Sequence, residues 1–277
     1  MTLWVSIVPL LVWSGAALAA AQLQWLPEPE PRRVFGGGTR SLPVRLHNSG
    51  DEIFRAETRV RMFQIGSATA ALWAETPWKE LCILPGQTVL ESTTLEFPAV
   101  RARTRFRLQW CAGTNRVLGW DDVWVYPTNL LAELGALAGR KPIGVLDPQN
   151  ELKPLFKELN LEFADLEETG FDSFQGALAI VGPFSRGSPL LNDLAAKVAA
   201  LAHKGAAVVW LHPPSDAVEP KTVPTFYAVT LGAGTVVVAQ QQWVAMLTED
   251  PWAQLRVLHL ARYALRPEPL RLPTTNP

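Results

Sequence analysis

The spacing of apolar residues changes character near Tyr126, and that change assigns the two parts of the chain to different kinds of fold. Before it, from Gln22 to about Pro127, apolar and polar residues alternate and turn residues punctuate the pattern. Residues 43–48, 54–63, 88–97, 104–111 and 117–126 therefore read as short strands separated by NSGDE, LPGQ, PAVRA and AGTN, the pattern of an immunoglobulin-like β-sandwich. After it, strand and helix signals alternate. PIGVLDP, LEFADLE, GALAIVGPF and AAVVWLHPP read as strands, with ELKPLFKELN and PLLNDLAAKVAALAHK as helices between them. That alternation implies a doubly wound α/β domain built on a parallel sheet. The run KGAAVVWLHPP is its clearest strand, because Gly205 suits the left-handed turn after a helix and the apolar residues that follow continue to Leu211 without a polar break. Residues 226–230 and 235–239 flank the turn LGAG and predict an antiparallel extension at one sheet edge. DPWAQLRVLHLARYAL closes the domain as an amphipathic helix with Leu255, Leu258, Ala261 and Leu265 on one stripe, Asp250 as its cap and Pro251 in its first turn.

The layout expected from these signals is residues 1–21 as a secretory signal, 22–127 as the sandwich, 128–141 as a connector, 142–266 as the α/β domain and 267–277 as an irregular tail. The signal rests on the apolar run from Leu3 to Trp13 followed by SGAALAAA, which offers small-residue cleavage sites. The n-region carries no Lys or Arg, and whether the segment is removed or stays as an anchor is open from sequence. A secreted or periplasmic location, with no membrane association after cleavage, follows from the signal. A formal net charge of −1 gives no reason to expect nucleic acid as a partner. Two cysteines, Cys82 and Cys111, share strand parity with polar neighbours, so they form either a bridge on an outer sheet face or two separate thiols.

Ligands of doubly wound domains bind beyond the carboxyl ends of the strands. That rim presents Asp147 and Asn150 after the first strand, Ser185 and Arg186 after the third and His212 after the fourth, which makes these five the candidate ligand-binding residues. An Asp with a His could form an acid/base pair or two metal ligands, yet a base needs a positioned nucleophile and a catalytic metal needs three protein ligands. The other role open to Asp147 is to cap the following helix or turn. Carboxylate neighbours such as Glu167 and Glu168, or Asp121 and Asp122, give no pair flanking a glycosidic bond. No catalytic, metal or cofactor site is nominated. In the first half, Arg101, Arg103, Arg105 and Arg107 alternate with Val100, Ala102, Thr104, Phe106 and Leu108. They form either a basic stripe for an acidic glycan or partner, or a solvated sheet face paired across strands with Glu57 or Glu91.

The ordered phrases DDVWVYP, IVGP, KGAAVVWL, GAGTVVV and DPWAQLRVLHLARYAL resemble the sandwich and class I glutamine-amidotransferase-like, or flavodoxin-like, modules appended to bacterial glycoside hydrolases of the β-galactosidase type. In active amidotransferases of this class the nucleophile is a cysteine in an elbow after a central strand. Here that place holds His212, Pro213 and Pro214, and two successive prolines also remove backbone donors from an oxyanion hole. The resemblance thus implies an exported, non-catalytic accessory or assembly protein around carbohydrate processing, with a protein or glycan partner and an oligomeric state the sequence does not give. The alternatives are a hydrolase acting on a saccharide or ester at the rim of Asp147, Ser185 and His212, and a cell-envelope interaction protein unrelated to glycans.

Overall fold

A computed structural model describes residues 23–113, 116–184, 193–211, 226–239 and 244–267. The expected signal segment, most of the tail, and Ser185, Arg186 and His212 lie outside the described residues. Eight strands come first: β1 (Leu23–Leu26), β2 (Arg32–Phe35), β3 (Gly38–Asn48), β4 (Phe54–Ile65), β5 (Ala70–Ile83), β6 (Thr88–Phe97), β7 (Thr104–Ala112) and β8 (Arg116–Tyr126). They make a three-stranded sheet in the order β1-β3-β6 and a five-stranded sheet in the order β2-β8-β7-β4-β5. β4 runs antiparallel to both β5 and β7, with Arg59 opposite Pro77 on one side and Cys111 on the other.

Alternation decides which face is buried. Along β7, Phe106, Leu108 and Trp110 are buried while Arg105, Arg107 and Gln109 between them are half-buried on the other face. Trp110 is fully enclosed and packs against Trp25 of β1 with ring centroids 4.4 Å apart. Gly119 on β8 lies beneath the same ring, and a Cβ there would overlap the Trp25 side chain. The NSGDE turn is tied down by Asn48, whose buried amide donates to the carbonyls of Glu52 and Ile83 and accepts from the Gly50 N–H.

Three features differ from the sequence expectation. β7 starts at Thr104, where residues 104–111 predict a strand, but the alternation read from Val100 onward does not extend it, because the chain must cross from β6 in one sheet to β7 in the other. Ala102 and Arg101 are accordingly exposed rather than set on opposite strand faces. β5 is a long strand where none was expected, and β1 and β2 were not expected either. β5 is an edge strand exposed along most of its length, so it carries no inside–outside alternation, and Pro77 interrupts it.

After Tyr126 come α1 (Glu133–Leu137), β9 (Ile143–Leu146), α2 (Leu152–Glu158), β10 (Phe163–Asp165), α3 (Leu166–Thr169), β11 (Leu178–Val181), α4 (Leu194–His203), β12 (Ala207–Leu211), β13 (Phe226–Leu231), β14 (Gly234–Ala239) and α5 (Pro251–Leu265). The strand order is β10-β9-β11-β12-β14-β13, parallel throughout except for the antiparallel edge strand β13. Every residue of β9, β11 and β14 is buried, as expected of a sheet covered on both faces. One core joins Val145, Ile180, Val209 and Val237 to Phe156 of α2 and Leu258 of α5. The opposite core joins Leu146, Val181, Val208 and Val238 to Leu166 of α3 and Leu201 of α4. The chain crosses to opposite sides of β9 in making β10 and β11, which places the switch point of the sheet between β9 and β11.

Residues 128–141, read as a connector, instead contribute Leu131, Leu134 and Ala138 to the first of these cores. Gln254 of α5, itself buried, accepts from the Leu131 N–H and donates to the Leu247 carbonyl at 2.7 Å. Asp250 caps α5 by accepting from the Trp252 N–H at 2.9 Å. The buried stripe of α5 is centred on Val257, Leu258, Ala261 and Ala264, with Leu255 and Leu265 at its borders.

Two compact units result, each assembled from separate stretches. The first takes the described residues of Met1–Pro31, Ser41–Leu95 and Arg105–Val123, and the second takes those of Arg32–Arg40, Glu96–Thr104 and Trp124–Pro277.

Candidate functional site

The carboxyl ends of β9, β10 and β11 are where the strand order directs attention. Asp147 follows β9 directly and is 1% exposed. Its Oδ1 accepts from the Glu151 N–H at 3.2 Å, and its Oδ2 from the Leu152 and Lys153 N–H groups at 2.7 and 3.0 Å. These are first-turn donors of α2 that have no partner inside the helix, so the carboxylate serves as a cap reached from upstream. Asn150 adopts a left-handed φ of 54° and donates its N–H to the Asp147 carbonyl, which closes the turn between them. At the neighbouring strand end, Gly182 has a φ of 97° and lies against the Leu211 carbonyl, where no side chain would fit. Of the five rim candidates, the structure places Asp147 and Asn150 together, and both shape the turn into α2.

A second polar group on the same edge was not anticipated from the sequence. Lys153 is nearly buried, and its Nζ contacts Asp165 Oδ2 at 2.6 Å and Glu167 Oε2 at 2.8 Å. Burial lowers the Lys153 ammonium, but the hydrogen bonds to Asp165 and Glu167 outweigh it and leave the group above its ordinary value. Burial raises the Asp165 carboxyl, and the bonds from Lys153 and the Glu167 N–H reverse this and hold it below the usual range. A lysine held between two carboxylates in this way clamps α2 to the β10–α3 corner. In the sequence, Lys153 looks like any charged residue of a helix surface.

The clamp has a pH signature. The Asp165 contribution is complete above the unfolded carboxyl value near 4 and is lost as pH falls through the lower folded value. The Lys153 contribution is complete below about 10 and is lost as pH rises through the raised folded value. Lys153→Met should therefore cost about 2 kcal/mol between roughly pH 5 and 9 and flatten both limbs of the stability profile. Urea melts across pH would check this, and an unchanged alkaline limb would count against the clamp.

Beside it, on the opposite face of the sheet from α2, a groove of about 580 Å³ opens between α3 and α4. Leu146, Leu166, Phe171 and Leu201 line it, with Glu167, Asp172 and Lys197 as polar members. Among the described residues no group of three or more His, Cys, Asp or Glu could hold a metal ion.

The arginine row is divided by its surroundings. Arg103 lies over the Trp124 ring at 4.3 Å, and Arg101 is exposed ahead of β7. Arg105 and Arg107 both bind Asp122 of β8, with Arg107 Nε at 3.0 Å from Oδ1, and Arg107 also covers Trp120 at 4.2 Å. Burial raises the Asp122 carboxyl, but the bonds from Arg107 and Arg105 hold it below its usual range. The cross-strand partner is thus Asp122, not Glu57 or Glu91; Glu91 pairs with Lys79 instead.

Cys82 and Cys111 are separate thiols, one exposed and one buried. They sit on the two strands flanking β4, opposite Arg55 and Arg59 respectively. Two strand spacings, about 10 Å, and four residues along the strand, about 13 Å, separate them beyond the reach of a disulfide. Burial raises the Cys111 thiol above its ordinary value.

No family model matches the chain, and no curated protein matches it. Among solved structures it is similar to a β-glucosidase from Listeria innocua in complex with gluconolactone, at 12% identity and a TM-score of 0.28, over 38% of this chain and 16% of that one. It is also similar to a GH3 β-glucosidase from Bifidobacterium adolescentis, at 10% identity and a TM-score of 0.26, over 38% and 17%. A third is the alkylpurine DNA glycosylase AlkC from Pseudomonas fluorescens bound to DNA containing an abasic site analog, at 11% identity and a TM-score of 0.31, over 39% and 31%. The match spans less than a third of the length of each of these proteins. At these scores the likeness has no bearing on activity. No helix among the described residues is long and apolar enough to cross a membrane.

Proposed function

We propose that the chain is an exported, non-catalytic accessory or assembly protein that works around carbohydrate processing by presenting surfaces. In this reading, residues 22–127 form an immunoglobulin-like sandwich and the later residues a flavodoxin- or amidotransferase-like α/β domain, which takes in 128–141 as well as 142–266. The observation that carries it is the engagement of Asp147: the buried carboxylate at the first strand end holds three amides of α2, so the acid a rim hydrolase would use is a structural group. The Lys153 clamp next to it supports the same reading, since its ammonium is engaged by two carboxylates of the fold itself.

The test is turnover. Purified protein assayed with glutamine, ester and glycoside substrates should give no activity above buffer, and Ser185→Ala and His212→Ala should leave folding unchanged. Activity that disappears in either variant while its melting temperature is retained would replace this reading with that of a hydrolase. Export is checked separately, by N-terminal sequencing of the mature product, with a start expected between Ala19 and Gln22.

A further inference from the structure

The outward face of the five-stranded sheet carries a line of cations that no single strand reveals. Register places Arg59 opposite Cys111, Arg61 opposite Gln109, Phe63 opposite Arg107 and Ile65 opposite Arg105. Arg59 and Arg61 of β4 and then Arg107 and Arg105 of β7 thus occupy four successive levels of one face. Levels two residues apart are about 7 Å apart, so the line runs diagonally for about 20 Å. Among the described residues, two carboxylates are each shared by a pair of these guanidinium groups. Glu75 takes Arg59 at 2.7 Å and Arg61 at 3.0 Å, and Asp122 takes Arg105 and Arg107. The patch ends at Arg59, because Arg55 at the next part of β4 is accompanied by Glu57 and Glu80 on the same face.

Four guanidinium groups gathered on one face of a chain with a formal net charge of −1 are a local feature. These pairs keep side-chain exposures of 18–38%, so a competing anion can reach them from solvent. Trp120, half exposed and backed by Arg107, adds a flat apolar surface at the same end of the line as Arg107 and Arg105. A flat ring beside spaced guanidinium groups matches a ligand with apolar ring faces and regularly spaced anionic groups.

We propose that this face, defined by Arg59, Arg61, Arg105, Arg107 and Trp120, binds an anionic oligosaccharide, carboxylated or sulfated. It adds a site to the accessory reading without depending on the α/β edge. A failure to bind removes the site alone, whereas turnover lost in Ser185→Ala or His212→Ala removes the accessory reading.

Titration calorimetry of the full chain tests it with four probes: a sulfated heparin octasaccharide, an oligogalacturonate, a neutral dextran oligosaccharide and inorganic polyphosphate. One or both anionic saccharides should bind, more weakly as salt rises from about 50 to about 300 mM, and dextran should not. Arg61→Ala with Arg105→Ala should weaken binding about tenfold. Trp120→Ala should weaken saccharide binding and leave polyphosphate unchanged. Glu75→Gln, which removes a competing carboxylate, should tighten binding about threefold, an effect that partial unfolding cannot imitate. No saccharide binding at about 1 mM overturns the proposal. So does equal binding of polyphosphate and saccharide with Trp120→Ala silent, and so does a face that captures only a protein partner.

Discussion

Asp147→Ala is expected to destabilise the protein by about 3–4 kcal/mol, because it leaves three first-turn amides of α2 without an acceptor in a site that is 1% exposed. For a fold of this size the melting temperature should fall by roughly 10 °C. Asp147→Asn keeps one acceptor oxygen in place and should lose about half as much. The graded series separates a cap from a catalytic acid, which would lose activity in both variants with little change in stability. A melting temperature unaffected by Asp147→Ala would remove the observation on which the accessory reading rests.

Gly119→Ala is the second large effect, at about 3 kcal/mol or more. The added methyl group would overlap Trp25, which is held between β8 and the enclosed Trp110. Trp25 must then shift and give up its ring contact, which is worth about 1 kcal/mol on top of the overpacking cost. Combining Gly119→Ala with Trp25→Ala should cost less than the sum of the two single changes, since the second removes the obstacle met by the first. Additive losses in a double-mutant cycle would show that the clash is relieved by backbone movement instead.

How much the sequence showed depended on whether a residue's role was set by its neighbours along the chain. Strand β6 could be read end to end, because one of its faces is buried and its alternation is complete. The β13–β14 hairpin and the Asp250 cap were equally local. β5 escaped detection because an edge strand exposed on both sides has no alternation to read. α1 looked like a connector because its Leu and Ala residues fit either role, and only packing against α5 decides between them. Lys153 became a clamp through β10, which lies beyond α2 in the chain. Regular spacing along one strand groups Arg101 and Arg103 with Arg105 and Arg107. The β4–β7 register adds that Arg59 and Arg61 share a face with Arg105 and Arg107, which no single strand shows. The alternation RAETRVRMF gave both arginines a face, but not a partner strand.

The second compact unit takes Arg32–Arg40 and Glu96–Thr104 from early in the chain and is finished only by α5. A ribosome adding about 5–20 residues per second releases those early segments roughly ten to forty seconds before the helix that completes their unit. The units therefore cannot mature one after the other as beads on a string. Val34, Phe35 and Phe97, buried in the finished protein, wait through that interval without their full surroundings. The nascent chain should accordingly depend on holding chaperones until Leu265 has been made, and a stalled chain ending near Tyr126 should be a strong client of them.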